Sequence, residues 1–228
     1  MNMKKGTLCG VGVGPGDPEL MTLKAVKAAL GADVLAVPHK DPKKCTALAI
    51  ALKAVPALAE KPLLAVDMPM TKDPDRLEQA YTAGAEALMS QLDQGKTVCF
   101  LTLGDPTVYS TYLYLHRKVA AAGYRTKIIP GVPSFCAAAA ELGISLCENG
   151  QQFHVIPGTY TPTEGLDLPG VKVLMKNDLP ATLAALRQKK KQAAMVENCG
   201  METQRIFRSL EEIPQDAGYF SLLIVKDE

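Results

Sequence analysis

Gly10-Val-Gly-Val-Gly-Pro-Gly-Asp-Pro18 and, in the middle of the chain, Leu103-Gly-Asp-Pro-Thr-Val-Tyr-Ser-Thr111 are the two stretches whose reading decides the fold. Each follows an apolar run, Leu8 to Val13 and Val98 to Leu103, and each contains Asp-Pro. In that pair Asp caps the turn that follows and Pro is tolerated at its first position. Both stretches therefore read as strand-to-turn joints, which is how an open α/β sheet builds a ligand crevice at the carboxyl ends of its strands. The pair points to a small-molecule enzyme.

Outward from these joints, short apolar strands alternate with helices. Strands are predicted at residues 7–13, Ala32 to Val37, Leu63 to Val66, Thr97 to Leu103 and Thr126 to Ile129. Helices are predicted between them: one with Leu23, Val26 and Leu30 on one face, one over Cys45 to Val55, and one over Asp73 to Leu92 with Leu77, Tyr81, Leu88 and Leu92 inward. A further helix runs to Ala122, and an Ala-rich helix covers Ser134 to Leu142. That alternation argues for a parallel, doubly wound sheet. The polar stretch Cys147 to Gln152 reads as a linker, after which strands at Phe153 to Ile156, Val171 to Met175, Ala193 to Glu197, Gln204 to Phe207 and Tyr219 to Val225 are joined by fewer helices, the clearest from Pro180 to Lys190. The expected fold class is α/β with two α/β domains, residues 1–146 around a parallel sheet and residues 147–228 around a mixed one.

Composition narrows the function. The chain has 228 residues, 47% hydrophobic, enough for two modest cores. A formal net charge of +1 supplies no overall field for nucleic acid or a membrane surface, so no partner of either kind is expected. Six cysteines are scattered without a Cys-x-x-Cys pair and read as reduced core residues. The polar, lysine-bearing start and the lack of any apolar run near the ~20 residues of a membrane span predict a cytoplasmic protein. His116 and His154 have no metal-like spacing, so no metal site is expected.

The glycine turn does not fit a dinucleotide fingerprint, because a GxGxxG starting at Gly10 or Gly12 needs glycine where Pro15 or Asp17 stands. No Gly-Lys-Ser/Thr follows, and an Asp with two prolines removes the donors and positive field that phosphate wants. A tight structural turn at a strand end accounts for the motif equally well.

Four blocks taken together carry a resemblance. Val13-Gly-Pro-Gly-Asp-Pro-Glu-Leu-Met-Thr-Leu-Lys24, Gly104-Asp-Pro-Thr107 continuing to Tyr112, Pro130-Gly-Val-Pro-Ser-Phe135 and Val196-Glu-Asn198 occur in this order across nearly the whole chain. In these the sequence resembles the class III S-adenosylmethionine-dependent tetrapyrrole methylases. The resemblance implies two α/β domains with the active site in the cleft between them, S-adenosyl-L-methionine as methyl donor, a tetrapyrrole substrate and a homodimer. It places cofactor contacts on Pro15, on Leu103, Gly104, Asp105 and Val108, on Pro133 and Ser134, and on Met175 and Cys199. Pro133 stands where relatives often have Ser or Thr, and Cys199 where many have Gly, so contacts at these two are expected through the backbone. The cofactor's sulfonium, ammonium and carboxylate suit such a set of apolar walls and backbone groups with a carboxylate nearby.

Asp105 and Tyr109 are the candidate catalytic residues, as acceptors of the proton that leaves the methylated carbon. Each has a structural alternative: Asp105 as a turn cap, and Tyr109 with Tyr112 as an aromatic pair on one helix face packed into the core. A polycarboxylate substrate calls for local positive charge. Pro38-His-Lys-Asp-Pro-Lys-Lys44 follows the second strand on the crevice side, which makes His39, Lys40, Lys43 and Lys44 the candidate substrate contacts, with an ordinary solvated loop as the alternative. Lys189-Lys190-Lys191 closes a helix, where cations complement the dipole, and reads as surface.

Overall fold

The computed structural model describes residues 5–158, 162–175 and 178–227. By contacts the chain divides into two units, Met1–Pro133 and Ser134–Glu228.

The first unit alternates strand and helix: β1 Thr7–Gly12, α1 Leu23–Leu30, β2 Val34–Val37, α2 Thr46–Ala54, β3 Leu63–Ala65, α3 Pro74–Asp93, β4 Thr97–Thr102, α4 Tyr112–Ala121 and β5 Arg125–Ile129. All pairings are parallel, in the order β3-β2-β4-β1-β5. The capping chemistry is local. Asp17 accepts from Glu19 N–H at 2.8 Å ahead of the short 3-10 turn Pro18–Leu20, Thr22 caps α1, and Asp73 caps α3 with Pro74 at its first position.

Two apolar layers sandwich the sheet. Val11, Val13, Leu35, Val37, Cys99 and Leu101 pack with Ala25, Ala29, Leu48 and Ala51 of α1 and α2. Leu8, Val98 and Phe100 pack with Tyr81, Leu88 and Leu92 of α3 and Tyr112, Leu115 and Val119 of α4. The helices change face where the winding direction changes. The connection from β1 runs toward β2, that from β4 runs over to β5, and the two leave the adjacent strands β1 and β4 in opposite directions. This divergence is the topological switch point of a doubly wound sheet.

The second unit comprises α5 Ser134–Leu142, β6 Phe153–Pro157, α6 Pro162–Leu166, β7 Val171–Met175, α7 Leu179–Gln188, β8 Gln192–Glu197, β9 Arg205–Phe207 and β10 Ser221–Lys226. Its sheet, ordered β6-β7-β10-β8-β9, is mixed: β6 and β7 are parallel and the remaining pairs antiparallel. Leu174, Met195, Leu223 and Val225 pack under Leu179, Leu183 and Leu186 of α7. Lys172 of β7 is fully buried and paired at 2.6 Å with Asp227, which also takes Lys191 Nζ and the Gly170 N–H.

Several sequence expectations change in detail. The contact boundary falls at 133/134 rather than 146/147, because α5 packs against β8 and β10 of the second sheet. The inner face of α1 is Ala25 and Ala29, while Leu23 is 79% exposed and Leu30 also faces outward. Small side chains let that short helix lie close on the sheet. None of the six cysteines is in a disulfide, but only Cys9, Cys45, Cys99 and Cys199 are buried; Cys136 and Cys147 are exposed. The helix after the central turn begins at Tyr112, so Tyr109 lies outside it, in the turn. The short helix α6 carries no sequence signal strong enough to predict it. Among the described residues no helix is long and apolar enough to cross a membrane.

Candidate active site

In the first unit the candidate site is built where β4, β1 and β5 end side by side. The chain after β1 and the chain after β4 bridge each other: Gly104 N–H donates to Gly14 O at 2.8 Å, Gly14 N–H to Gly104 O at 3.3 Å, and Val13 N–H to Thr102 O at 2.9 Å. The third turn, after β5, closes on the same point. A Cβ on Gly12 would lie 2.5 Å from Gly104 O and 2.6 Å from Gly131 N, and one on Gly131 would lie 2.2 Å from Gly104 O. No side chain fits between three backbones this close, which explains glycine at these strand ends without any ligand.

Asp105 ties the turns together. One carboxylate oxygen accepts from the Thr107 N–H at 2.7 Å and from the Thr107 hydroxyl, and the other accepts from the Gly131 N–H at 2.9 Å, across 26 residues of chain. The side chain is buried. The cap read in the sequence is therefore one half of a staple, whose other half joins the central turn to the Pro130-Gly131 turn. Val108 N–H closes the turn onto Asp105 O at 3.2 Å. Tyr109 follows with φ 46°, a left-handed conformation unusual for a side chain of its size, and is 46% exposed.

Tyr112, by contrast, is core. Its ring packs beside Phe100, its hydroxyl lies 3.0 Å from His116 Nδ1, and it donates to Lys127 O at 3.3 Å. Burial pushes its phenol well above the usual range, and burial followed by the Arg117 charge pulls His116 below its usual value. The expected aromatic pair thus separates into a buried Tyr112 and a turn-borne Tyr109. The Tyr112–His116 spacing of four residues was the available sequence signal for their contact.

The structure brings Pro15, Leu103, Gly104, Asp105, Val108, Tyr109 and Pro133 to the carboxyl end of the first sheet, with Pro15 buried and Leu103, Val108 and Pro133 half-buried. His39, Lys40, Lys43 and Lys44 follow β2 at that same end. His39 Nδ1 accepts from the Asp41 N–H at 2.9 Å and Asp41 caps the 3-10 turn Pro42–Lys44, so loop shape rests on His39 and Asp41 while the three lysines are exposed. Ser134, Met175 and Cys199 belong to the second unit. There Met175 and Val196 both oppose Leu222 of β10, so Met175 and the segment after β8 share one end of that sheet. Asn198, at φ 50°, holds that segment through Thr203, and Glu197 is engaged by Arg205 Nε and Gly218 N–H, each at 2.5 Å. The hydrogen bond from Arg205 holds the Glu197 carboxyl below its usual range.

A methyl-donor cofactor fits the turn by one geometric criterion. Gly104 has φ 67° and is buried, and a Cβ there would meet only Val132 O, at 4.0 Å, so the left-handed turn is not packed tightly on that side. Such a cradle offers backbone groups and apolar walls to a nucleoside or amino-acid moiety. Among the described residues no group of three or more His, Cys, Asp and Glu gathers as a metal cage.

Comparison with known proteins shows the family and the fold. Residues 7–214 match the model of the Tetrapyrrole (Corrin/Porphyrin) Methylases. A precorrin-2 C(20)-methyltransferase of a Sinorhizobium species is 35% identical over 96% of this chain and 95% of its own, and a probable cobalt-precorrin-2 C(20)-methyltransferase of Methanocaldococcus jannaschii is 31% identical over 99% and 98%. Among solved structures, a putative cobalamin synthesis related protein from Corynebacterium diphtheriae superposes with a TM-score of 0.76 at 23% identity, covering 97% of this chain and 98% of that one. The uroporphyrin-III C-methyl transferase of Thermus thermophilus complexed with S-adenosylhomocysteine gives 0.68 at 22%, covering 97% and 98%.

Proposed function

Because this chain belongs to the tetrapyrrole (corrin/porphyrin) methylase family, we propose that it moves the methyl group of S-adenosylmethionine to the C20 meso carbon of precorrin-2, or of its cobalt-loaded counterpart, in cobalamin biosynthesis. The observation that carries this reading is 35% identity to a precorrin-2 C(20)-methyltransferase along nearly the whole of both chains. The variants Gly104-Asp-Pro-Thr-Val-Tyr-Ser-Thr-Tyr112, Pro130-Gly-Val-Pro-Ser-Phe-Cys-Ala-Ala-Ala139 and Tyr219-Phe-Ser-Leu-Leu-Ile-Val225 support the same branch of the family. Methylation at another ring position, or of a diphthine or ribosomal RNA acceptor, would use the same fold; the net charge of +1 argues against RNA.

The cofactor supplies an electrophilic methyl group on a sulfonium that leaves as a thioether. The electron-rich macrocycle is the carbon nucleophile, so the protein needs no activated nucleophile of its own. Its contribution is alignment, worth up to ~7–11 kcal/mol in favourable cases. In this reading Pro15, Leu103, Gly104, Val108 and Pro133 are the cofactor contacts of the first unit, and Ser134, Met175 and the backbone at Cys199 are those of the second. Lys40, Lys43 and Lys44 meet the substrate carboxylates, helped by His39. Asp105, with both oxygens committed to the turns, positions the cradle, which leaves the C20 proton to the Tyr109 phenol or to water. A cytoplasmic homodimer completes the proposal.

Incubation with methyl-labelled S-adenosylmethionine and with metal-free and cobalt-loaded substrates tests it. One label per macrocycle at C20 is expected. Label at another carbon, or none from either substrate, refutes the assignment. Calorimetry with S-adenosylhomocysteine separates the enzyme from a nonenzymatic tetrapyrrole carrier or a nucleotide-binding module, because a carrier has no reason to bind it.

A further inference from the structure

Thr102 ends β4 and immediately precedes the Leu103-Gly104-Asp105 turn. Its hydroxyl oxygen is the one buried side-chain nitrogen or oxygen among the described residues that has no hydrogen-bond partner. The residue is 7% exposed, and its backbone carbonyl is already taken by the Val13 N–H. Strand alternation sets it on the face of Val98 and Phe100, and the register pairs it with Gly12, the glycine packed against Gly104 O and Gly131 N. The orphan hydroxyl therefore belongs to the last residue of β4, where the three turns meet, two residues before Gly104.

Every other residue of β4 from Val98 to Leu101 is apolar. Valine has the same shape as threonine and would bury no hydroxyl. An unpaired buried hydroxyl lowers the stability of the state that contains it. A state in which the hydroxyl is paired gains relative to the free protein, and whatever ligand selects that state binds more tightly by the same amount.

We propose that Thr102 is a positioning residue for the cofactor: its hydroxyl is left unpaired in the free protein and gains its hydrogen bond through the 103–108 turn when S-adenosylmethionine occupies the Gly104 cradle. The inference rests on the methyl-donor reading of that turn. It adds a residue beneath the turn to those that line it, and it makes the free protein less stable than it need be in exchange for cofactor affinity.

The test compares the native protein with Thr102→Val and Thr102→Ser in two measurements, thermal unfolding without ligand and calorimetric binding of S-adenosylhomocysteine. Thr102→Val is expected to unfold at the same or a higher temperature and to bind roughly 3- to 10-fold more weakly, the worth of one neutral hydrogen bond. Thr102→Ser, which keeps the hydroxyl and loses the methyl group, is expected to bind with native affinity. Native affinity in Thr102→Val overturns the proposal. So does equal weakening in both variants, which would trace the effect to packing, and so does a Thr102→Val protein that is less stable or fails to fold, which would mean that the hydroxyl is already paired in the free protein. A native protein that does not bind S-adenosylhomocysteine at all refutes the cofactor reading itself, and this proposal with it.

Discussion

Replacing Asp105 by Asn removes one charge and, less obviously, one arm of the staple between the central turn and the turn after β5. The carboxylate uses one oxygen on the Thr107 N–H at 2.7 Å and the other on the Gly131 N–H at 2.9 Å. An amide has one acceptor oxygen, so whichever way it is turned, its NH2 faces one of the two backbone donors. A hydrogen bond to a charged group contributes about 1.5–3 kcal/mol. Asp105→Asn should therefore cost about 2 kcal/mol, and Asp105→Ala, which loses both arms, about 4 kcal/mol. For a protein of this size each kcal/mol moves the midpoint by about 2–4 °C, so calorimetry should show Asp105→Asn melting roughly 4–8 °C lower. Because Gly104 sits inside the stapled segment, affinity for S-adenosylhomocysteine should fall, and the KM for S-adenosylmethionine should rise more than kcat falls. An Asp105→Asn protein with native stability and native cofactor affinity but a kcat lower by orders of magnitude would refute the reasoning and make Asp105 the acceptor of the C20 proton.

Further outcomes follow from the same geometry. Burial pushes the Asp227 carboxyl upward, but hydrogen bonds from Lys172 and Lys191, the Lys172 charge and the Gly170 N–H outweigh it and hold it down at about 2 against an ordinary 3.8. A carboxylate depressed in the folded state stabilises above its unfolded value and loses that contribution as pH falls through its folded one, so urea midpoints should drop between pH 3.8 and about 2. Asp227→Asn should flatten that drop while costing about 3 kcal/mol at neutral pH, since it strands the fully buried Lys172. Joint replacement of the exposed Lys40, Lys43 and Lys44 by Ala should leave the melting temperature unchanged and weaken tetrapyrrole binding at low salt, the difference from native closing toward 1 M salt, where screening acts within about 3 Å; loss of cofactor affinity alone would misplace the loop. Gly10→Ala would set a Cβ 2.0 Å from Tyr112 Cε1 and should cost about 3 kcal/mol in urea unfolding, with native stability refuting the packing described for β1 and α4.

Local chemistry was legible in the sequence because it depends on residues close along the chain. The alternation of apolar strands with helices, the Asp17 cap, the inward stripe Tyr81, Leu88 and Leu92, and the mixed strand pattern after residue 152 all rest on short-range periodicity and capping, and all stand in the structure. The two turns likewise follow the carboxyl ends of β1 and β4 as read. What the sequence did not contain was which backbones would meet. The strand order sets β1 beside β4 across most of the first unit, and only that neighbourhood creates the Gly14–Gly104 bridge, the contact of Gly12 with Gly131 and the second arm of Asp105. The same limit separated Tyr109 from Tyr112, turned Leu23 outward and paired Lys172 with Asp227, 55 residues away. Residue spacing fixes which face a side chain shares with its neighbours in the same element. Which element that face then meets is chosen by packing of the whole sheet, a sum over distant contacts that no window of sequence holds.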